Sequence, residues 1–403
     1  MIILVINAGS SSVKFTLFRM DDEAALVNGI VERIGLADTR LNYKNFKGDK
    51  FCQEVHVTDT VEAVGIITNV LTDDQYGIID SVKDISAVGH RVVHGGEKIT
   101  NSVIIDSNVK EIIKDCFMLA PLHNPHNLEG IEASEQNFSG ALQVAVFDTA
   151  FHSTIPEHAY LYGLPYRLYH EDKIRRYGFH GISHKNVSNE AARFLNMPLD
   201  ALKLITCHLG NGCSITAVEW GKSVDTSMGF TPLEGLMMGS RCGDLDPAIV
   251  LYLIKHKKLG FEEVNELLNK QSGLLGVADI GSSDLRDILS AKESGKHQAD
   301  IAIKIFTYKI KKYIGAYIAA MGGADAIVFT AGIGENSPII RELACDGLQR
   351  INGLKIILDP EKNIDGNNRL CEIQSHLSHV KILVVPTNEE QEIARQTMQL
   401  LQS

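Results

Sequence analysis

One short pattern occurs twice in this chain: an apolar strand, a polar turn that contains glycine, and a second strand. In the first copy, the apolar runs Ile2–Ile6 and Val13–Phe18 flank residues 7–12, whose sequence is Asn-Ala-Gly-Ser-Ser-Ser. In the second copy, an apolar run ends at residues 210–212, Gly-Asn-Gly, and a strand that contains Ser214 follows. Because a repeated supersecondary unit indicates related structural units, the two copies, about 200 residues apart, predict two related domains.

Strand-like and helix-like segments alternate along the rest of the chain, and such alternation favours an α/β architecture. The most regular helical pattern spans Ala302–Met321, and the Asp-Pro pair at 246–247 and the Ser-Pro pair at 337–338 predict two helix starts. Two polar stretches, Lys44–Cys52 and Asp359–Arg369, are predicted to be surface loops. Further strands are predicted at Ile85–His90, Leu142–Phe147, Lys203–His208, Ser214–Glu219, Ala326–Thr330 and Lys381–Val385.

Length and composition limit the classes of protein to which the chain can belong. At 403 residues it is long enough for two or three domains, and its 44% hydrophobic content can supply their cores. The formal net charge of -11 argues against a nucleic-acid-binding protein, which needs an excess of basic residues. No apolar run reaches the roughly 20 residues of a membrane span, and the N-terminus lacks the features of a secretory signal. Seven scattered cysteines without a CxxC pair are typical of reduced thiols, so we expect a cytoplasmic protein without membrane association.

Turns that contain glycine can bind phosphate, because glycine lets several backbone N–H groups point at one anion and lets a ligand approach closely. A third such turn, residues 331–337, follows a predicted strand and precedes a helix start, where the helix dipole also favours an anion. A plain hairpin turn explains any one of these turns. Three related turns, with Lys14 just after the first, favour a nucleotide site instead. Neither the P-loop pattern nor the GxGxxG dinucleotide pattern is present in these turns, so neither of those sites is supported.

Ten blocks of the sequence resemble the acetokinase family of short-chain fatty acid kinases, and they follow one another in the family's order. They span nearly the whole chain. The blocks are NAGSSSVKF (7–15), GHRVVHGGE (89–97), PLHNPHNLEGI (121–131), VFDTAFH (146–152), RRYGFHGISH (175–184), HLGNGCSI (208–215), DTSMGFTPLEGLMMGSRCGDLDP (225–247), SGLLG with SSDLRD (272–287), FTAGIGENS (329–337) and PTNEE (386–390).

The resemblance implies a fold shared with sugar kinases, heat-shock chaperone ATPases and actin. In that fold two ribonuclease-H-like domains have an ATP cleft between them. We expect residues 1–150 with 386–403 to form the first domain, and residues 151–385 to form the second domain, on the nucleotide side. The two copies of the strand–turn–strand pattern would then belong to one domain each. The family is homodimeric, and we expect a homodimer here.

The implied reaction is the reversible transfer of a phosphoryl group from ATP to acetate, which gives acetyl phosphate and ADP. It requires Mg²⁺, or Mn²⁺ in its place. Acetate is already ionised at pH 7, so no general base is needed to create the nucleophile. The obstacle is that one anion attacks a polyanion, and catalysis must therefore come from positioning and from positive charge.

The family's catalytic positions match Arg91, His123, Asp148, His180 and Arg241. The resemblance implies that Arg91 binds the carboxylate, that Arg241 bridges acetate and the transferring phosphoryl group, and that His180 stabilises the transition state. Asp148 is expected to orient Mg²⁺-bound water or an arginine, and His123 is expected to donate near the phosphoryl group. Taken singly, each arginine also fits a surface ion pair, His180 a hydrogen-bonded core position, and Asp148 a helix cap.

A magnesium site, a nucleotide site and an acyl pocket are also implied. Asn7 and Glu389 match the family's Mg²⁺-associated pair, although Glu389 also fits the first turn of a helix capped by Asn388. The implied nucleotide residues are Ser10, Ser12, Lys14, His208, Leu209, Gly210, Asn211, Gly212, Asp284, Leu285, Arg286, Gly332, Ile333, Gly334, Glu335 and Asn336. The implied lining of the acyl pocket is Val93, Leu122, Phe179 and Pro232. The resemblance also implies that a valine at position 93 favours acetate over longer acids.

The sequence leaves three alternatives open. A propionate or butyrate kinase of the same family would share the charged site residues and differ in its acyl preference. An ATP-driven binding protein, like the heat-shock chaperones or actin, would give Arg91 and Arg241 no evident purpose. A metabolic sensor without turnover would not need the complete set of charged residues.

Overall fold

Two mixed β-sheets, one in each of two units, form the framework of the residues that the structure describes. The computed structural model describes residues 1–351 and 353–402. One unit comprises Met1–Ser153 and the chain from Asn388 onward, and the other comprises Thr154–Thr387. No helix in the described ranges is both long enough and apolar enough to cross a membrane.

The sheet of the first unit begins with the predicted hairpin. Its strands are β1 (Ile2–Ala8), β2 (Ser12–Arg19), β3 (Ala24–Glu32), β4 (Arg40–Asn45), β5 (Lys50–Glu54), β6 (Ile85–Val92), β7 (Val103–Ile104) and β8 (Leu142–Phe147). Their order across the sheet is β5-β4-β3-β2-β1-β6-β8-β7. Strands β1 to β5 are antiparallel neighbours, whereas β1, β6 and β8 run parallel to one another.

The sheet of the second unit repeats this plan. Its strands are β9 (Lys203–Leu209), β10 (Cys213–Glu219), β11 (Lys222–Thr226), β12 (Ala326–Thr330), β13 (Cys371–Glu372) and β14 (Lys381–Val384), in the order β11-β10-β9-β12-β14-β13. Strands β9, β10 and β11 are antiparallel, and β9, β12 and β14 are parallel. The run β11-β10-β9-β12-β14 therefore has the same directions as β3-β2-β1-β6-β8.

The two turns at the start of these sheets also match. The Gly9 N–H donates to the Ser12 carbonyl at 2.8 Å, and the Gly210 N–H donates to the Gly212 carbonyl at 3.0 Å. Each turn thus closes a hairpin between the first two strands of its sheet. The internal repetition predicted from the sequence is present in strand order, in strand direction and in turn position.

Helices cover the sheet of the first unit and supply its core. They are α1 (Thr60–Leu71), α2 (Ser107–Asp115), α3 (Asn124–Asn137) and, from the end of the chain, α15 (Glu389–Gln402). Leu4 and Ile6 of β1 form a buried cluster with Val64 and Ile67 of α1. Helix α15 packs so closely on β6 that a Cβ at Gly89 would lie 2.8 Å from Cγ2 of Ile393. Only glycine fits that position, and its small size allows the close packing of α15 on β6.

The helices of the second unit follow from capping and proline signals. They are α4 (Glu157–Tyr160), α5 (Tyr166–Asp172), α6 (Gly181–Leu195), α7 (Pro247–His256), α8 (Phe261–Lys270), α9 (Gly273–Ala278), α10 (Leu285–Glu293), α11 (His297–Met321), α12 (Ala331–Asn336), α13 (Pro338–Cys345) and α14 (Pro360–Asp365). The Asp246 side chain caps α7 by accepting from the Ala248 N–H at 2.9 Å, as its Asp-Pro pair predicts. Helix α11 begins five residues before the predicted start, because its first turn is polar and carries no apolar periodicity.

Three sequence predictions of local structure were wrong. The stretch Lys44–Cys52 joins strands β4 and β5 in a hairpin, and it was mistaken for a loop because β5 is an exposed, polar edge strand. The stretch Asp359–Arg369 contains helix α14, which Asp359 caps and Pro360 opens, the same signal that was recognised at α7. The third glycine turn is not a turn, since residues 331–336 form helix α12 directly after β12.

His90, next to a predicted catalytic arginine, ties the stability of the protein to pH. Its side chain is buried in β6 and its Nε2 lies 2.7 Å from Oε1 of Gln143. Burial lowers the pKa of His90 to about 4, and the bond to Gln143 offsets only part of that change. Below a pH of about 6.5, His90 is protonated in the unfolded chain but stays neutral in the folded chain. Acid therefore favours unfolding.

We predict that His90 makes the folded protein less stable as pH falls from about 6.5 towards 4, with a slope that approaches about 1.4 kcal/mol per pH unit. His90→Gln keeps a donor for Gln143 and has no titrating group, so its stability should fall less. Urea unfolding of both proteins at several pH values measures the difference. Parallel pH dependences for the two proteins would contradict the prediction.

Candidate active site

An arginine–carboxylate pair lies at the edge of the first sheet where parallel strands end. Arg91 is near the end of β6, and Asp148 directly follows the neighbouring strand β8. Nη2 of Arg91 lies 2.5 Å from Oδ2 of Asp148, and Nε lies 3.4 Å from Oδ1. The Asp148 side chain is buried, whereas the Arg91 side chain is 21% exposed. Burial disfavours the charge of Arg91, but Asp148 and Glu389 hold the pKa of Arg91 above its ordinary value. Arg91 is therefore a permanently charged side chain that Asp148 holds in place and that is partly accessible to solvent.

Asn7 and Glu389 complete this cluster. Nη1 of Arg91 lies 3.5 Å from Oδ1 of Asn7, and Nε lies 3.9 Å from Oε2 of Glu389. Glu389 is the first residue of α15, and Asn388 caps that helix by accepting from the Gln391 N–H at 3.0 Å. Burial raises the pKa of Glu389, Arg91 opposes the rise, and Asp148 adds to it. Glu389 thus both begins helix α15 and lies beside Arg91.

The oxygens of this cluster fit a magnesium ion. Asn7 and Glu389 offer amide and carboxylate oxygens, which are the ligands that Mg²⁺ prefers. Burial is the main cause of the raised pKa of Glu389, and a bound cation would favour the charged form of this carboxyl group. Across residues 1–351 and 353–402, no three His, Cys, Asp or Glu side chains form a group that could hold a metal.

The other predicted residues of the first unit occupy different environments. Ser10 and Lys14, at the β1–β2 hairpin, are exposed, and Ser12 is half-buried. Val93 is buried just after β6, and its N–H donates to Oδ1 of Asn127 at 3.1 Å. His123 precedes the first residue of α3, and Leu122 before it is 68% exposed.

In the second unit, His180 adopts a backbone conformation that few residues take. Its φ is 57°, in the left-handed region, immediately before α6. Its Nδ1 lies 2.9 Å from Oγ of Ser214, and its ring stacks on that of His208 with centroids 4.2 Å apart. The hydrogen bond and the stacking contact help to fix the ring, and Nδ1 is turned towards Ser214 of β10.

Arg241 lies beside His180 across a glycine turn. A Cβ at Gly212 would lie 3.3 Å from Nε2 of His180 and 3.7 Å from Nη1 of Arg241, so both groups face that turn. Nη1 of Arg241 donates to the Pro232 carbonyl at 3.1 Å. Among the residues that the structure describes, no carboxylate forms an ion pair with Arg241, and burial lowers its pKa. A half-buried cation without a counter-ion is a site for an anion.

The segment that carries Arg241 is held by a residue that the sequence analysis missed. Nη1 of Arg176 donates to the carbonyls of Thr226, Ser227 and Met228 at 2.9, 3.2 and 3.0 Å. Its Nη2 binds Oε1 of Glu234 at 2.6 Å. Arg176 therefore ties Glu234 to the end of β11 and the residues that follow it. Only its position in the block RRYGFHG marks it in the sequence, because an internal clamp has no pattern of its own.

A cavity of about 590 Å³ in the second unit contains half of the predicted nucleotide residues. From the prediction it is lined by Gly210, Asn211, Asp284, Leu285, Arg286, Gly332, Ile333 and Asn336. Its further lining residues are Gly239, Leu274, Ser283, Leu289 and Ser337. The volume is typical of a small-molecule site. Leu289 follows Leu285 by four residues on α10, so helical spacing could have revealed it.

Five predicted nucleotide residues of this unit do not line that cavity. They are His208, Leu209, Gly212, Gly334 and Glu335. Oε1 of Glu335 accepts from the N–H groups of Ala331 and Thr387 at 2.7 and 3.0 Å, inside the protein. Nδ1 of His208 lies 2.8 Å from Oγ of Ser183. Of the predicted acyl-pocket residues, Phe179 is buried, and Pro232 offers its carbonyl to Arg241.

The chain resembles known proteins along its whole length. The model of the acetokinase family matches residues 2–395. The chain is 51% identical over 400 residues to an acetate kinase of Desulfitobacterium hafniense, covering 99% of each sequence. Its structure is similar to that of Porphyromonas gingivalis acetate kinase, with a TM-score of 0.94, 46% identity and 99% of each chain covered. It is also similar to a propionate kinase from Francisella tularensis, with a TM-score of 0.90, 41% identity and 98% of each chain covered. The predicted fold class is confirmed by these likenesses.

Proposed function

The chain belongs to the acetokinase family, and we propose that it transfers a phosphoryl group reversibly from ATP to acetate by direct in-line displacement. The observation that carries the mechanism is Arg241, a half-buried guanidinium without a carboxylate partner in the described residues, which shares the Gly212 turn with Nε2 of His180. Two donors and a turn that a side chain would fill suit the oxygens of a transferring phosphoryl group.

Arg91 binds the carboxylate of acetate in this mechanism. Its guanidinium has five N–H groups, and Asp148 and Asn7 engage three of its nitrogen atoms. The remaining donors are available to a second carboxylate. Asp148 acts by orienting Arg91, because a base is not needed for a nucleophile that is already ionised. Its buried position suits orientation better than proton exchange with solvent.

Asn7 and Glu389 would hold Mg²⁺, or Mn²⁺ in its place, with water filling most of the coordination shell. When bound there, the ion would offset the negative charge of the phosphate oxygens. Ser10, Ser12 and Lys14 would contact phosphates from the β1–β2 hairpin. The cavity lined by Gly332, Asn336 and α10 would bind the adenosine end of ATP.

Buried Val93 limits the acyl group of the substrate to a short one, and one extra methylene in such a pocket costs about 1–3 kcal/mol.

The reverse reaction tests this function and its metal requirement together. We expect ATP to form from acetyl phosphate and ADP when Mg²⁺ is present, because the same residues stabilise one transition state in both directions. Removal of divalent ions with EDTA should abolish ATP formation, and excess Mg²⁺ or Mn²⁺ should restore it. Luciferase luminescence measures the ATP. Metal-independent formation would contradict the assignment of Asn7 and Glu389, and no formation at all would contradict the reaction.

We also propose a homodimer in the cytoplasm. Seven free thiols are typical of a reducing compartment. Helix α7 exposes apolar side chains and buries none, with Leu251 67%, Tyr252 52% and Ile254 46% exposed. Phe261, the first residue of α8, is 78% exposed. Monomeric proteins seldom leave such a helix face in water, and a second copy of this chain would cover it.

Leu251→Glu should convert the dimer to a monomer, because a charge would be buried in an apolar interface. Light scattering after size-exclusion chromatography should give twice the chain mass for the original protein and the single-chain mass for the variant. Met118→Glu is the matched control, since Met118 is 89% exposed and lies in the first unit. Dissociation by both substitutions, or by neither, would contradict α7 as the interface.

A further inference from the structure

Behind His180 lies a chain of hydrogen bonds through three buried side chains. Oγ of Ser214 lies 2.9 Å from Nδ1 of His180 and 2.7 Å from Nε2 of His184. Nδ1 of His184 lies 2.7 Å from Oγ1 of Thr206. Thr206, His184 and Ser214 are each fully buried. We name these three residues the hydroxyl–imidazole relay.

The relay has a direction, which starts at Thr206. A hydroxyl group has one hydrogen to donate. For Thr206 the acceptors are Nδ1 of His184 at 2.7 Å and the carbonyl of Thr216 at 3.5 Å. The second distance is at the limit of a hydrogen bond, so the Thr206 hydrogen is directed to His184.

The positions of the protons on His184, Ser214 and His180 follow from the Thr206 donor. A neutral imidazole has one nitrogen that donates and one that accepts. Because Nδ1 of His184 accepts, its proton is on Nε2, which donates to Oγ of Ser214. The Ser214 hydroxyl then has one acceptor left, Nδ1 of His180. His180 therefore carries its proton on Nε2.

Nε2 of His180 faces the phosphoryl-binding turn. A Cβ at Gly212 would lie 3.3 Å from this nitrogen, and the same Cβ would lie 3.7 Å from Nη1 of Arg241. A proton on Nε2 therefore gives the turn a second N–H donor beside the guanidinium. The other tautomer would present a lone pair to an oxygen that becomes more negative in the transition state.

We propose that Thr206, His184 and Ser214 are positioning residues that hold His180 as the neutral tautomer protonated on Nε2. The catalytic benefit rests on the proposed function, whereas the tautomer itself is a property of the folded chain without substrate. None of the three residues needs to touch substrate. Their role is to keep the Nε2 proton on the neutral His180 imidazole, so that Nε2 can donate a hydrogen bond to the phosphoryl group.

The first test is a nuclear magnetic resonance measurement of the His180 tautomer. Protein labelled with ¹⁵N-histidine is compared with His180→Gln, which identifies the His180 signals by their loss. The original protein should show the pattern of a proton on Nε2. Thr206→Val has the same shape but no hydroxyl, so the His180 signals should move towards the other tautomer or a mixture.

The neighbouring strand offers a matched control. Thr216 pairs with Thr206 across β9 and β10 and is also fully buried, but its hydroxyl bonds Thr226 at 2.8 Å and lies outside the relay. Thr216→Val should leave the His180 signals unchanged. Equal shifts in both variants would mean that loss of any buried hydroxyl in these strands disturbs His180, which would overturn the relay.

Kinetics provide the second test. Ser214→Ala removes the donor to His180 and should lower kcat about tenfold, less than the roughly 10²- to 10³-fold loss of a whole transition-state donor. KM for ATP and for acetate should change less than about twofold, because Ser214 is fully buried. Ser214→Thr restores the hydroxyl and should recover most of kcat.

The outcomes separate this proposal from the proposed function. An unchanged Nε2 tautomer in both Thr206→Val and Ser214→Ala would overturn the relay, whatever the rates are. Unchanged kcat in Ser214→Ala together with a shifted tautomer would overturn its catalytic role. An original protein with the Nε2 tautomer but no kinase activity would overturn the proposed function and leave the relay standing. The two substitutions lie on different strands, so either one tests the tautomer if the other fails to fold.

Discussion

Arg241→Ala is expected to lower kcat by about 10³- to 10⁵-fold, the range over which arginines that stabilise phosphoryl-transfer transition states act. Arg241 has no carboxylate partner in the described residues, so its charge is available to the substrate. The dissociation constant of Mg-ATP should change less than about threefold, because Arg241 does not line the nucleotide cavity. Calorimetric titration with Mg-ATP and steady-state kinetics measure the two effects on the same protein.

Two further variants sharpen this prediction. Arg241→Lys keeps the charge but loses the planar pair of donors, so its kcat should lie between those of the original protein and the alanine variant. Arg193→Ala is the matched control, since Arg193 lies on α6 in the same unit with a 59% exposed side chain paired to Glu190. Near-normal turnover in Arg241→Ala would remove Arg241 from the phosphoryl site.

Asp148→Asn is expected to lower kcat/KM for acetate by about 10²-fold or more, the cost of misplacing a group that positions substrate. The substitution keeps the size of the side chain and removes the charge that holds Nη2 of Arg91 at 2.5 Å. Arg91 would then be drawn towards Glu389, now 3.9 Å away, and both the carboxylate site and the proposed metal site would suffer. KM for acetate should rise and kcat should fall, whereas Mg-ATP affinity should change little.

The control for Asp148 is another arginine–carboxylate pair in the same unit. Arg395 on α15 binds Glu23, with Nη2 and Oε2 2.6 Å apart. Glu23→Gln breaks that pair and should leave kcat and KM within about twofold of the original values. A similar loss of activity in both variants would show that the effect of Asp148→Asn comes from weakened folding rather than from Arg91.

The sequence predicted those parts of the fold that local patterns determine. Buried strands such as Leu142–Phe147 and Ala326–Thr330 lie at their predicted limits, because continuous apolar runs bounded by turns have few alternatives. Edge strand β5 and helix α14 were missed, because both face water and their compositions resemble those of loops. Polarity alone cannot distinguish an exposed element from a loop.

In the candidate site, too, local motifs predicted individual residues, whereas contacts between distant parts of the chain were not predicted. Arg91 and Asp148 were predicted from the resemblance of their sequence blocks to the family, and the parallel pairing of β6 and β8 brings them together. The relay behind His180 depends on the register of β9 and β10, which places Ser214 opposite His208 and Thr206 opposite Thr216. This register cannot be read from the sequence alone. Thr206 and His208, at alternate positions in β9, do indicate that one face of this buried strand carries polar side chains.

The measurement that tests the central claim most directly is acyl phosphate formation from Mg-ATP, trapped with hydroxylamine as the hydroxamate. Formate, acetate, propionate and butyrate are compared side by side. We predict hydroxamate from acetate at the highest kcat/KM, with propionate about tenfold or more lower because of its extra methylene. A maximum with propionate or butyrate would keep the mechanism and contradict the substrate. ATP hydrolysis without hydroxamate from any of the four acids would contradict phosphoryl transfer to a carboxylate altogether.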